Sequence, residues 1–246
     1  MSDISFKNFS NFANSINDGL YLSSGRFKFM NMKKKYKFIS LDISRKLRLT
    51  KKCNLLDVGT GDGQILKQLQ KKVKKVVGLD HYKTINILRK KIKKTKFISG
   101  DITDKKIKIK EKFDKILLYS VIHYFKNSEQ LFEVFNRLLK LLKPGGMILI
   151  GDIPNKDIKS KIIKSKVKEY KTAQRKWNED ILKITKKENS YLVSQKKDQS
   201  IIKINNKLFI KIFKFFEKKK CQVFFLDQNK NLIFNFTRVD ILIKKY

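Results

Sequence analysis

No apolar run in this 246-residue chain comes near the roughly 20 residues that a membrane-spanning helix needs, and stretches such as "MILI" at 147–150 fall far short. The opening "MSDISFKNFSNFANSIN" lacks the basic region and the unbroken apolar region of a secretory signal, so no export is expected and the location is read as cytoplasmic. Cysteine is scarce. Cys53 and Cys221 form no metal-type spacing and each adjoins an expected strand, so both are read as reduced, packed residues, and no metal is expected. Acid is in deficit, with 22 Asp and Glu against 59 Lys and Arg and a formal net charge of +37. Arginine is scarcer still, at 7 of those 59.

The shortage of arginine decides how the charge is read. Nucleic-acid sites recruit Arg for forked phosphate contacts, whereas Lys, Ile, Asn and Phe, all abundant here, share AT-rich codons. The lysines are spread along the chain in "KKVKK", "RKKIKKTK" and "EKKKC". Codon drift onto solvated helix faces accounts for them better than a polyanion-binding face, and a nucleic-acid partner is possible but not favoured. The positive field that remains would draw in acidic or phosphorylated substrates. With 41% hydrophobic and 11% aromatic residues, the chain has enough to build a core and should be globular over most of its length.

Short apolar runs predict strands at 54–58, 75–80, 96–99, 114–120 and 146–152, with helical spacing between them at 63–71, 84–94 and 128–142. A strand alternating with a helix implies parallel strands joined by crossovers, hence an α/β, doubly wound sheet covered on both faces. "KPGG" at 143–146 is read as the end of the last of these helices and the turn into the fifth strand. Before this core, residues 1–49 form an arm and a lead-in helix over 35–49, with Phe38, Ile39, Leu41, Ile43 and Leu47 as its apolar residues. Residues 50–246 form the main domain. An insertion at about 153–206 interrupts it as a cap or a flexible excursion, with a helix over 158–176 and with Trp177, Tyr170 and Tyr191 read as buried anchors for the cap ahead of stacking on a sugar or base. A helix at 207–219 and strands at 222–227 and 238–244 close the pattern, and no internal repeat is visible.

In open parallel sheets, ligands bind beyond the carboxyl ends of the strands where the strand order reverses, and "DVGTGDG" at 57–63 occupies the first such turn. Gly59, Gly61 and Gly63 permit positive φ and a close backbone approach. The dinucleotide pattern G-x-G-x-x-G is broken by Gln64, and no Gly-Lys-Ser/Thr follows as in a P-loop. A nucleoside-type ligand with no pyrophosphate remains.

The chain here resembles the class I S-adenosylmethionine-dependent methyltransferases. Their first motif is an acid followed by alternating glycines, matched by Asp57, Gly59, Gly61 and Gly63, and their second-strand acid is matched by Asp80 at the end of "VVGLD". The resemblance runs in order over about residues 50–152 and implies a mostly parallel seven-stranded sheet ending in an antiparallel hairpin, with S-adenosyl-L-methionine as cofactor. It implies that Asp80 accepts the ribose hydroxyls, that Asp101 in "ISGDI" meets the adenine amine with Ile102 alongside, and that "LLYSVIHYF", with Ser120 within it, lines the sulfonium and the acceptor. Asp57 either binds the ligand or braces the turn, Asp101 has the alternative of capping the turn after it, and His81 packs beside the adenosine or faces solvent. "LLKPGGMILIGDIPN" and "NFTRVDILIKK" further resemble a subgroup tied to bacterial surface-polysaccharide biosynthesis.

Methyl transfer is an in-line displacement, so an enzyme positions the partners first and, for a hydroxyl nucleophile, supplies a base second. His123, three residues after Ser120, is the candidate base, with a histidine bonded to a loop carbonyl as the plainer alternative. No Asn/Asp-Pro-Pro-Tyr/Phe stretch follows the fourth strand, which argues against methylation of a base's exocyclic amine. The expected activity is methylation, of oxygen first, on a small or carbohydrate-like acceptor. The alternatives are an RNA methyltransferase and a non-catalytic binding module of the same fold.

Overall fold

A strand buried on both faces must be apolar at consecutive positions, because its side chains alternate between the faces. The computed structural model describes residues 32–165, 168, 171, 172, 175, 202–232 and 235–246. The arm at 1–31 and Tyr170, Trp177 and Tyr191 lie outside the described residues. β1 (Asn54–Val58) meets the demand with Leu55 and Leu56, β4 (Phe113–Tyr119) with Ile116, Leu117 and Leu118, and β5 (Leu142–Pro154) with Ile148, Leu149 and Ile150.

Alternate members of these runs enter two separate cores. Leu55, Leu117 and Leu149 pack with α1 (Met32–Lys46), α2 (Gln64–Leu69) and α3 (Tyr82–Lys91) on one face. Leu56, Ile116, Leu118, Ile148 and Ile150 pack on the other with α4 (Ser128–Leu141) and α6 (Asn206–Lys218), the helix that follows α5 (Lys156–Lys164). Three of these helices start on an asparagine cap: Asn127 accepts from the Gln130 amide at 3.0 Å, Asn155 from the Asp157 amide at 2.9 Å, and Asn205 from the Leu208 amide at 3.1 Å.

With β2 (Lys75–Asp80), β3 (Lys96–Ser99), β6 (Cys221–Asp227) and β7 (Arg238–Lys245), the sheet has seven strands in the order β3-β2-β1-β4-β5-β7-β6. β1 to β5 pair in parallel, while β7 runs antiparallel to both β5 and β6. The chain winds outward from β1 to β3 and returns to β4 on the other side of β1. That reversal opens a crevice over the carboxyl ends of β1 and β4.

The structure departs from the sequence reading in two places and adds one detail at the ends of the insertion. The inward face of α1 is Tyr36, Ile39, Ser40 and Ile43, with Leu47 buried just past its end, while Phe38 and Leu41 are only half-buried. "KPGG" does not separate helix from strand: β5 already begins at Leu142, which pairs with Phe113, and the register shifts before Met147 pairs with Lys115. The insertion is pinned at both ends, since the Lys156 amide donates to the Ile204 carbonyl at 3.0 Å and Ile202 and Ile204 are buried in the α4–α6 core. No helix among the described residues is long and apolar enough to cross a membrane.

Candidate active site

The glycine turn is stitched to the head of β2. Gly59 and Thr60 donate their amides to the Leu79 carbonyl at 2.8 and 3.3 Å, and the Gly61 amide donates to Asp80 Oδ2 at 2.8 Å. Asp80 Oδ1 accepts from the His81 amide at 2.6 Å. Both oxygens are therefore aimed by backbone donors, and each keeps a further lone pair for a ligand hydroxyl. Burial pushes the Asp80 carboxyl up to about 6; the Gly61 and His81 amides pull it down and nearby Asp101 raises it slightly. Desolvation outweighs the two amides, so the ionised form is left in want of more donors.

Two glycines in the turn are needed for reasons internal to the protein. At Gly59, φ is 76°, and a Cβ would stand 2.5 Å from Val121 Cγ2. At Gly63, which begins α2 in the left-handed conformation, a Cβ would strike Ile92 and Leu88 at 2.7 and 2.8 Å. The turn is thus pressed between the loop after β4 and helix α3. Asp57 is buried on β1 beneath it. Asp62 accepts from the Gln64 amide at 3.0 Å and from the Tyr36 hydroxyl, which ties α1 to the turn.

Asp101 Oδ1 accepts from the Thr103 amide at 2.8 Å, so the turn-capping role is realised at the head of β3. Ile102 is buried in the core, and its carbonyl accepts from Arg137 at 2.7 Å. Arg137 also donates to the carbonyls of Asp104, at 2.7 Å, and Ile107, so one guanidinium on α4 clamps this whole loop. His81 is buried rather than facing solvent. Its Nδ1 accepts from the Lys83 amide at 3.3 Å as the cap of α3, its ring lies 4.4 Å from that of Tyr82, and burial holds its pKa below the ordinary histidine value.

Past β4 the backbone of Ser120 turns left-handed, with φ 61°, and its amide donates to the Gly151 carbonyl at 2.9 Å. Its hydroxyl donates to Asp152 Oδ2. His123 lies in a one-turn 3-10 helix at Ile122–Tyr124, half-buried, with its ring 4.0 Å from that of Tyr124. The glycine turn, Asp80, Asp101 and Ser120 thus stand at the carboxyl ends of four neighbouring strands, with His123 just beyond the fourth.

The sequence reading missed the polar cluster on the β5 side. Asp152, with φ 59°, accepts at Oδ1 from Gln228 Nε2 at 3.2 Å and pairs there with Arg238 at 3.4 Å. Fully buried Asp240 accepts from the Asp152 amide at 2.8 Å and from Lys46 Nζ at 2.8 Å. Lys46 also reaches Asp42, at 2.7 Å, and the Asp227 carbonyl, at 2.6 Å. Burial pushes the Asp240 carboxyl up, against the pull of Lys46. One signal was present in the sequence: in a chain that uses Lys almost everywhere, Arg137 and Arg238 both stand where several donors on one side chain are needed.

The sequence profile of a methyltransferase domain family matches residues 49–206. The N-methyltransferase NodS from Bradyrhizobium japonicum WM9, solved with S-adenosyl-L-homocysteine, is 12% identical with a TM-score of 0.58, each chain covered to 99%. The plantazolicin methyltransferase BpumL, also solved with S-adenosylhomocysteine, is 19% identical with a TM-score of 0.59, over 97% of this chain and 94% of its own. Among curated proteins, chondramide synthase cmdD from Chondromyces crocatus is 28% identical over 109 residues, which is 42% of this chain but only 3% of that protein's length. With the strand order, the glycine turn and the acid at the head of β2 in place, the match over 49–206 makes this chain a member of the methyltransferase domain family, a class I S-adenosylmethionine-dependent methyltransferase.

Proposed function

We propose that the crevice over β1 to β5 holds S-adenosylmethionine along the glycine turn and presents its methyl group to a small or carbohydrate-like acceptor at the ends of β4 and β5. The observation that carries this reading is Asp80, whose two oxygens are aimed by the Gly61 and His81 amides and can still accept from two neighbouring hydroxyls. Gly59, Gly61 and Gly63 give the ligand its floor, Asp57 braces it from below, and His81, Asp101, Ile102 and Ser120 border the adenosyl and sulfonium ends. Bound S-adenosylmethionine supplies an electrophilic methyl group. The protein's part is to hold the acceptor in line with that methyl and to keep water away from it. For an oxygen acceptor, the reading gives His123 the hydroxyl proton.

Calorimetry on the full chain tests the reading. S-adenosylhomocysteine is expected to bind in the micromolar range, and no heat or thermal shift at millimolar ligand would overturn it. A label-transfer assay then separates acceptor classes. Methyl label should appear in a small-molecule or glycan fraction, whereas stoichiometric, site-specific label in RNA would replace the small acceptor with RNA.

A further inference from the structure

The sheet ends on two strands, and they are guarded differently. β3 is 4 residues long and begins with exposed Lys96, and Glu111 pairs with Lys96 and with Lys75 of β2. Short length and charge are the usual guards of an open sheet edge. β6 has neither. It runs for 7 residues, pairs with β7 in unbroken register from Cys221 to Asp227, and has a strand on one side only among the described residues. In a chain with 59 Lys and Arg, its sequence "CQVFFLD" carries no cation. Its centre is apolar and open to water, with Phe224 43% and Phe225 46% exposed.

Helix α6 extends the same surface. Phe215 stacks on Phe132 of α4 with ring centres 5.0 Å apart, so that flank of the helix turns toward the middle of the sheet. Phe209 meets Phe225 of β6 edge-on at 5.8 Å, so the opposite flank turns toward the open edge. Helical spacing puts Lys207, Lys211, Lys214 and Lys218 on one stripe, on the α4 flank. Phe213, one turn after Phe209, continues the edge flank and is exposed, as is Ile210 beside it. The contact with Phe209 also fixes the faces of β6. Phe225 lies on the α6 side and, because strand side chains alternate, Phe224 lies on the other. Apolar surface therefore wraps the open edge on both faces, and the lysines of α6 keep clear of it, a pattern that marks an interface.

We propose that this edge pairs with β6 of a second copy of the chain, antiparallel, so that the two sheets become one. The strand is complementary to itself in that direction. With Phe224 facing its own copy across a two-fold axis, Val223 lies opposite Phe225 and Gln222 opposite Leu226. Asp227 at the end of one strand comes beside the run Lys218, Lys219 and Lys220 that leads into the other, whereas parallel pairing would set like charge against like. The same axis keeps both α6 helices on one face of the joined sheet, with their Phe213 flanks turned toward each other. The net charge of +37 opposes association only weakly, because exposed charges are screened beyond about 8–10 Å at physiological salt and the edge itself carries no cation. The inference is independent of the methyl-transfer reading.

Sedimentation of the full chain at physiological salt, from about 1 to about 300 μM, tests it. A reversible dimer is expected, with a dissociation constant of roughly 1–100 μM for so small an interface. Phe224→Lys sets two lysines against each other at the axis and should weaken the dimer about tenfold or more. Ile163→Lys adds the same charge at an exposed residue of α5 and should leave the dimer unchanged. Asp227→Lys should weaken it about threefold, the scale of an exposed ion pair, and adding Lys219→Asp and Lys220→Asp should recover the loss. A chain that stays monomeric throughout the range, as when another part of it covers the edge, overturns the proposal. So does a dimer indifferent to Phe224→Lys, or one that the charge exchange fails to restore. If Phe224→Lys does not fold, Phe213→Lys on the facing helix flank takes its place, with the same weakening expected.

Discussion

The crevice has two halves built by different means. Over β1 and β2 the frame is backbone: the amides of residues 59, 60 and 61 bind a strand about 20 residues on in sequence, and that backbone aims a single carboxylate, Asp80. Over β4, β5 and β7 the frame is a chain of side chains from Lys46 through Asp240 and Gln228 to Asp152 and Ser120. The first half can lose its carboxylate and keep its shape. In the second half the groups that would meet an acceptor also hold the sheet to α1, so recognition and stability there are hard to separate.

The sharpest way to break this contrast is Asp240→Ala, which leaves Lys46 to Asp42 and the Asp227 carbonyl and takes the acceptor from the buried Asp152 amide. It should cost about 1–3 kcal/mol in urea denaturation, the scale for a buried polar group left without its partner. Near-parental stability would erase the distinction between the halves. Asp80→Ala should do the opposite, leaving folding largely intact while weakening S-adenosylhomocysteine binding by about 1.5–3 kcal/mol in calorimetry. An unchanged dissociation constant in a folded variant would mean that the ribose is held elsewhere.

A smaller effect sharpens the same contrast through pH. The Asp80 carboxyl titrates at about 6 in the folded chain, above its ordinary 3.8. One pH unit below its pKa only about a tenth of it is ionised, so S-adenosylhomocysteine affinity should fall about tenfold between pH 7 and pH 5. Its effect on stability has the reverse sign: the contribution is fully present below 3.8 and is lost as the pH rises through 6. Binding and stability should therefore move in opposite directions across this window. In Asp80→Asn both trends should flatten, and a parallel fall of both in the parent chain would point to a different titrating group.

The same division explains how much could be read from the sequence. β1, β2 and β3 fall at the expected residues, and the Gly61–Asp80 pairing lies within one β-α-β unit, where local pattern suffices. β5 proved longer than expected because its first residue is recruited by Phe113 across an irregular register, a partnership that no local pattern announces. Asp152 was legible only as the end of a strand. Its role depends on Ser120, Gln228 and Arg238, 32, 76 and 86 residues away in sequence. His81 is taken up as a buried helix cap because α3 begins at the very next residue, which removes only the solvent-facing alternative.

Lys46 and Asp240 are 194 residues apart, and their contact sets an order of assembly. As the chain leaves the ribosome, β1, β2 and β3 can find one another while most of the protein is still unmade. The acid knot must wait for β7, inserted beside β5 as an antiparallel strand. Closing so long a loop is slow, and until it closes Lys46 remains a solvated lysine on a nascent helix. The half proposed to hold the cofactor therefore matures early in synthesis, and the half proposed to meet the acceptor late.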